Sequence, residues 1–367
     1  MTFADFVGNP RVVATVQRML SSGRIPPSLL FAGPKGVGKF ILATLLARAA
    51  NCQQGQGNIC GRCESCRALA ALDDLRELQR AALAARGSAS PDSVPLILRP
   101  HSSVSVLVPD GPYIRVGQMR YVVRQAYRMP AHGHRNLFLI DQAERLRFDY
   151  ADILLKVLEE PPEHTTLILV TAAPFELRPT IRSRCIPLYF APLTGAEIER
   201  YLQTHKPAWK KKEREIAAAF AAGSLGLALN LDLELYLQVR RDALEVLRAG
   251  VRRELNPGRL FAATAALASK KPRTPSPLGE GQPGFEFSLD ILYSLLTDIV
   301  YWKVGTPERG FHHPDLRSEL QSWGCQVSWQ WLNQAVGHLD RIEGWQRRNV
   351  SRQLALDAWA VGQAPSF

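Results

Sequence analysis

The feature that most constrains the fold is a glycine-rich turn set between an apolar run and a strong helix former. Ser28 to Ala32 reads as a short buried strand, and Gly33-Pro34-Lys35-Gly36-Val37-Gly38-Lys39-Phe40 follows it. Phe40 to Asn51 is then rich in alanine and leucine and reads as a helix. A strand, a glycine turn and a helix in that order point backbone N–H groups and a helix N-terminus at one place, which is a phosphate cradle. The turn matches the first seven places of the Walker A pattern, with Gly33, Gly36 and Gly38 shaping the loop and Lys39 set to reach terminal phosphates.

The eighth place of that pattern carries a Ser or Thr whose hydroxyl holds Mg²⁺. Here it is Phe40, which offers no oxygen. The matching acidic element is the apolar strand Asn136 to Ile140 followed by Asp141, a Walker B pattern in which Asp141 orients the metal. The next residue is Gln142, which cannot take up a proton as a carboxylate does, and Glu144 is expected to point elsewhere. Two readings of the loop stand: it binds ATP or ADP without hydrolysis, or it only packs the sheet against its first helix.

Further apolar runs at Val104 to Val108, Leu167 to Thr171 and Ile186 to Phe190 read as strands. Helices are expected at Val116 to Met129 and at Tyr150 to Glu160, the latter stopped by Pro161-Pro162. This alternation predicts an α/β fold with a parallel sheet covered by helices. Ala68 to Arg86 reads as helical, and Gly87 to Pro95 as a mobile loop. After Pro192 the strands stop: Gly195 to Leu231 reads as three short helices, and the rest is helical apart from the Pro/Gly/Lys stretch Lys270 to Gly284. The tryptophans concentrated in this last part fit a helical core better than a stacking platform for nucleic acid.

Four of the six cysteines form the string Cys52-x7-Cys60-x2-Cys63-x2-Cys66. Four thiolates with no histidine and no open position fit structural zinc; an iron–sulfur centre is the alternative. Such clustering is not a secreted disulfide framework. Met1 to Gly8 has no basic start followed by an apolar run, and no stretch has the ~20 apolar residues of a membrane helix, so the cytoplasm is the expected compartment. The formal charge of +11 favours an anionic partner, nucleic acid above all.

A P-loop followed closely by a CxxC-rich module resembles the bacterial DNA polymerase III clamp-loader subunits, members of the AAA+ class. The similarity continues through His101 and Pro109, Ile114 to Arg120, and Asn136 to Leu146. Leu154-Leu155-Lys156-Val157-Leu158-Glu159-Glu160-Pro161-Pro162 looks like the family's LLKxLEEPP. Ser183-Arg184-Cys185 is similar to its SRC motif, and Asn349 to Trp359 to its last collar helix. The resemblance implies an AAA+ P-loop domain over 1–192 with the zinc module at 52–66 inserted. A small helical lid at 193–232 and an all-α collar and oligomerisation domain at 233–367 would follow it. It places Thr171 at sensor 1.

The family divides into ATPase motor subunits, gamma/tau, and a stationary subunit, delta prime. Motors keep the P-loop hydroxyl, a Walker B Asp-Glu and a sensor 2 arginine. Here these places hold Phe40, Gln142 and Gly226, and all three departures point to delta prime. The resemblance then implies a stator without ATP hydrolysis of its own, lending Arg184 as an arginine finger to a neighbouring motor subunit; the plainer reading of Arg184 is a surface ion pair with the adjacent helix. Its partners would be the motor subunits and delta, and through the complex the sliding clamp and primed DNA. The alternative is a gamma/tau-type ATPase with a non-standard site.

Overall fold

A computed structural model describes residues 2–55, 57–130, 135–146, 148–252, 256–268, 284–305, 310–345 and 350–363. The chain divides into two compact units, Met1–Leu193 and Thr194–Phe367.

The first unit is built on strands β1 (Ser28–Ala32), β2 (Ile97–His101), β3 (Val104–Leu107), β4 (Asn136–Ile140), β5 (Thr165–Thr171) and β6 (Ile186–Tyr189). They form one sheet in the order β2-β3-β4-β5-β1-β6. Neighbours pair in parallel except β2, which runs antiparallel to β3. Every residue of β1, β4 and β5 is buried, as strands covered on both faces must be. Its helices are α1 (Pro10–Ser21), α2 (Lys39–Ala50), α3 (Glu64–Leu69), α4 (Leu75–Arg86), α5 (Val116–Ala126), α6 (Phe148–Glu159) and α7 (Pro179–Arg182).

The α/β expectation holds, with two corrections. The sheet is mixed: β2 was not foreseen, because Arg99 and Pro100 break its pattern and its pairing shifts register between Leu98 and His101. Proline is tolerated there because β2 lies at the edge of the sheet. The helix expected from Ala68 to Arg86 is broken at Ala70–Asp73, and Asp74 starts α4 by accepting the Glu77 N–H at 3.1 Å. Gly87 ends α4 with φ 57°, and Ser90 closes a turn by accepting from the Ser93 N–H.

The second unit is helical among its described residues. Its helices are α8 (Gly195–His205), α9 (Lys211–Phe220), α10 (Leu225–Asn230), α11 (Leu233–Arg252), α12 (Pro257–Leu267), α13 (Gly284–Val304), α14 (Arg317–Gln326), α15 (Trp329–Trp345) and α16 (Arg352–Gln363). Thr194 opens α8 with a capping box, trading hydrogen bonds with Glu197 at 2.8 and 3.2 Å. The stretch from Lys270 lies outside the described residues until Gly284 begins α13, and so does Asn349 ahead of α16. Trp323 and Trp359 are buried core residues, and the Trp302 ring stacks on Phe311 with its centroid 4.6 Å away. The core reading fits Trp323 and Trp359, whereas Trp329 is exposed.

A buried polar cluster ties α11 and α13 to the segment before α14. His313 meets the Tyr236 hydroxyl and Ser294 Oγ at 2.9 Å each, and Asp298 accepts the N–H groups of His312 and His313. Arg240 forks onto Asp315 with two bonds of 2.8 Å. Burial pushes the His313 pKa down to about 3, whereas an unfolded imidazole titrates near ~6.5. The unfolded chain therefore takes up this proton first, and the stabilisation is full above about pH 6.5 and lost as pH falls toward the folded value. Urea unfolding of the full chain between pH 7.5 and 5 is expected to show a falling midpoint, with the slope reduced in His313→Asn.

Candidate nucleotide site, metal centre and arginine segment

The phosphate loop leaves β1 at Ala32 in a conformation that needs glycine. Gly33 has φ 150°, and a Cβ there would lie 2.4 Å from the Phe190 carbonyl oxygen. Gly38 has φ 94°, and a Cβ there would lie 2.9 Å from the edge of the Phe6 ring. Gly36 also has positive φ, at 73°. Lys39 opens α2 and is buried, with Nζ donating to the carbonyls of Gly33 and Pro34 at 2.6 and 2.5 Å. Burial lowers its pKa to about 8, against the opposing pull of Asp141 and Glu144. Phe40, the second residue of α2, is half-buried.

Sheet order brings the other predicted residues to this loop. β5 lies between β1 and β4, pairing Ala32 with Thr171 and Ile140 with Leu169. Thr171 is buried; its carbonyl accepts the Gly33 N–H at 3.3 Å and its Oγ1 accepts the Ala173 N–H at 3.1 Å. Asp141, next after β4, is buried and donates its own N–H to Leu107 at 2.9 Å. Burial raises its pKa to about 6, partly offset by donors from the backbone and side chain of Gln142. Its Oδ2 is buried with no hydrogen-bond partner among the described residues. Gly33, Gly36, Gly38, Lys39, Asp141 and Thr171 thus gather at the C-terminal end of the parallel strands, where ligands bind in open α/β sheets.

Glu144 corrects the sequence reading. It acts electrostatically on both Lys39 and Asp141, and its Oε2 is buried without a partner among the described residues. The cause is local: Gln142 takes a left-handed conformation, φ 50° and ψ 51°, and Ala143–Arg145 forms one tight turn. The groups present fit a phosphate, through loop N–H groups and Lys39. They lack the hydroxyl metal ligand at Phe40 and the carboxylate at Gln142.

The four clustered cysteines have their sulfurs all within 4.8 Å of one another. A tetrahedral zinc with Zn–S near 2.3 Å sets sulfurs ~3.8 Å apart, and Cys60 and Cys66 already stand at 3.9 Å. Backbone N–H groups of Cys60, Cys63 and Cys66 donate to the sulfurs of Cys52, Cys60 and Cys63 at 3.3–3.4 Å. Donors from Arg62 and Cys63 hold the Cys60 thiol down at about 6, while burial pushes the Cys66 thiol up to about 12. The geometry and donor set fit a four-thiolate metal. The module is tied to the sheet edge, since Ser65 Oγ lies 3.2 Å from Nε2 of His101 on β2. Cys185 is buried and Cys325 exposed, and both lie outside the cluster.

Arg184 follows α7, directly before the buried Cys185. Its Nη2 pairs with Glu159 Oε1 at 2.7 Å, and its Nη1 donates to the Thr180 carbonyl at 2.9 Å. Its partners are on α6 and α7, not on its own phosphate loop. Gly226 lies in the first turn of α10, where its carbonyl accepts from Asn230 at 2.7 Å. The pair with Glu159 matches the plainer sequence reading of Arg184, an ion pair with the adjacent helix, although the sequence did not name Glu159 as the partner.

The family described as DNA polymerase III, delta subunit, matches residues 8–194. DNA polymerase III subunit tau of Escherichia coli K12 is 32% identical over 237 residues, covering 63% of this chain and 32% of the relative. Subunit gamma/tau of Mycobacterium tuberculosis H37Rv is 35% identical over 184 residues, covering 50% and 27%. Subunit delta' of Bacillus subtilis is 28% identical over 190 residues, covering 52% and 50%. The chain therefore spans about a third or less of the tau and gamma/tau relatives and half of delta'. Among solved structures, a gamma subunit-related protein of Thermotoga maritima superposes with a TM-score of 0.41 at 15% identity, covering 96% of this chain and 98% of that one. No described helix is long and apolar enough to cross a membrane. On the family match over residues 8–194, the chain belongs to the DNA polymerase III, delta subunit family, within the clamp-loader subunits.

Proposed function

We propose that this chain is the delta-prime subunit of a DNA polymerase III clamp loader, a stator that does not hydrolyse ATP. The observation that carries this reading is the altered phosphate-loop site. Gly33, Gly36, Gly38 and Lys39 keep the cradle, while Phe40 and Gln142 replace the metal-holding hydroxyl and the water-polarising carboxylate. Losing either group typically costs about a hundredfold or more in rate. The site then serves as a phosphate pocket or a packing element, with Asp141 and Thr171 at its floor.

In this reading Arg184 acts in trans. Its guanidinium would meet the terminal phosphate of ATP held by a motor subunit, where such a finger stabilises charge that develops in the transition state. Residues 193–232 would form the lid and 233–367 the collar that joins motor subunits and delta. The ring would open the sliding clamp and place it on primed DNA, and the charge of +11 suits phosphate contacts along that DNA. Zinc would be structural, held by Cys52, Cys60, Cys63 and Cys66. The compartment would be the cytoplasm, where replication proteins meet DNA.

A second reading, a gamma/tau-type ATPase with an unusual site, has its own support. The identities to tau and gamma/tau, 32% and 35%, exceed the 28% to delta'. Glu144 also acts electrostatically on Lys39 and Asp141. ATP turnover by the purified chain discriminates the two. We expect none above background, for the wild type and for Phe40→Thr alike, together with a stable complex on mixing with motor subunits. Turnover that rises in Phe40→Thr would favour the ATPase.

A further inference from the structure

Arg184 has a fixed base and a held tip. Its backbone is pinned: the Arg184 N–H donates to Ile181 at 3.1 Å and the Ser183 N–H to Pro179 at 2.9 Å. Ile181 and Cys185 are buried in the same apolar cluster as Leu154, Val157 and Leu158 of α6. The side chain has four rotatable bonds beyond that base, so its direction depends on what holds the guanidinium. Two groups do so, Glu159 Oε1 at 2.7 Å and the Thr180 carbonyl at 2.9 Å.

Both ends of α7 are tied to α6 in the same way. Arg178, directly before α7, pairs with Asp152, and Arg184, just past its end, pairs with Glu159. Asp152 and Glu159 are seven residues apart, two turns of α6, so they lie on one face of that helix. Between them Arg182 lies over the ring of Phe175, which is 86% exposed, with its guanidinium 5.1 Å from the ring centre. The segment is a short basic shelf whose flanking arginines are set by one acidic helix face.

We propose that Glu159 is a positioning residue for Arg184, fixing the plane of its guanidinium for the terminal phosphate of a nucleotide held by a neighbouring subunit. This rests on the trans-finger reading. Arginine presents five N–H donors in a planar fork. Two are committed to Glu159 and Thr180, which leaves three to meet phosphate oxygens with the plane already set. Preorganisation of this kind acts on rate, because a small misplacement of a catalytic group costs far more than the contact that prevents it. The pair itself is half-exposed, with side-chain exposures of 35% and 49%, and so contributes little to stability.

The test uses the full chain assembled with its ATP-hydrolysing motor subunits. ATP turnover, KM, complex formation and thermal midpoint are measured for wild type, Glu159→Ala, Glu159→Gln, Arg184→Ala and Arg184→Ala/Glu159→Ala. Glu159→Ala is expected to slow the site that Arg184 serves by about tenfold, with KM, assembly and midpoint unchanged. Glu159→Gln keeps an acceptor oxygen at the same reach and should retain most of the rate. In the Arg184→Ala background, Glu159→Ala should have no further effect. An equal loss in both backgrounds, a wild-type rate in Glu159→Ala, or a rate loss matched by weaker assembly would overturn the proposal while leaving the finger intact. A wild-type rate in Arg184→Ala would instead remove the finger reading, and this inference with it.

Discussion

Arg184→Ala is expected to slow ATP hydrolysis at one site of the assembled complex by about 10³–10⁵-fold, the range for loss of an arginine finger. The isolated chain should look unchanged, because Arg184 is bonded to α6 and α7 through an exposed pair. Complex formation should also survive. The effect therefore appears only when a motor subunit supplies the nucleotide, and single-turnover hydrolysis by the mixed complex measures it. Arg184→Lys should recover only part of the loss, since an ammonium is a point charge without the planar fork. Unchanged hydrolysis in an assembled Arg184→Ala complex would remove the trans role.

The second large effect concerns the four-cysteine module. The purified chain should carry one equivalent of zinc and no visible absorbance, which an iron–sulfur centre would show. Structural zinc yields about 10–16 kcal/mol of apparent folding free energy in small peptides. Even a third of that, ~4 kcal/mol, lowers a midpoint by about 10 °C in a unit of this size. A strong chelator, or Cys63→Ser, should therefore lower the thermal midpoint by at least about that amount. It should also open the segment around Asn58 and Gly61 to proteolysis, because the N–H···S bonds that fold it depend on the thiolates. A midpoint unmoved by chelation would refute a structural metal.

Groupings encoded in contiguous strings were legible in the sequence. The phosphate loop, the Asp141 strand and the cysteine cluster each lie within a short stretch of chain, and their grouping follows from residue type and spacing. The parallel core strands were legible for the same reason: β1, β4 and β5 are unbroken apolar runs. What escaped depends on tertiary context. β2 carries Pro100 and exposed Arg99, and only pairing at the sheet edge makes it a strand. Glu144 comes within electrostatic reach of Lys39 and Asp141 past a turn at Gln142, whose left-handed conformation a glutamine seldom takes and a sequence does not announce. Glu159 and Arg184 meet across the packing of α6 on α7, at a separation of twenty-five residues that no local pattern spans.

The sheet order also dictates how the chain must be made. Among the described residues β1 pairs with β5 and β6, so the strand carrying the phosphate loop meets these partners only once Thr165 is synthesised. At ribosomal speeds of roughly 5–20 residues per second, Leu29, Leu30 and Phe31 wait about 7–27 s without strand neighbours. The cysteine module is complete by Cys66 and can fold during that interval. A nascent chain of this protein thus completes its cysteine loop early and its phosphate-loop pocket late, and the apolar strand beneath that pocket is the segment a ribosome-associated chaperone would have to shield.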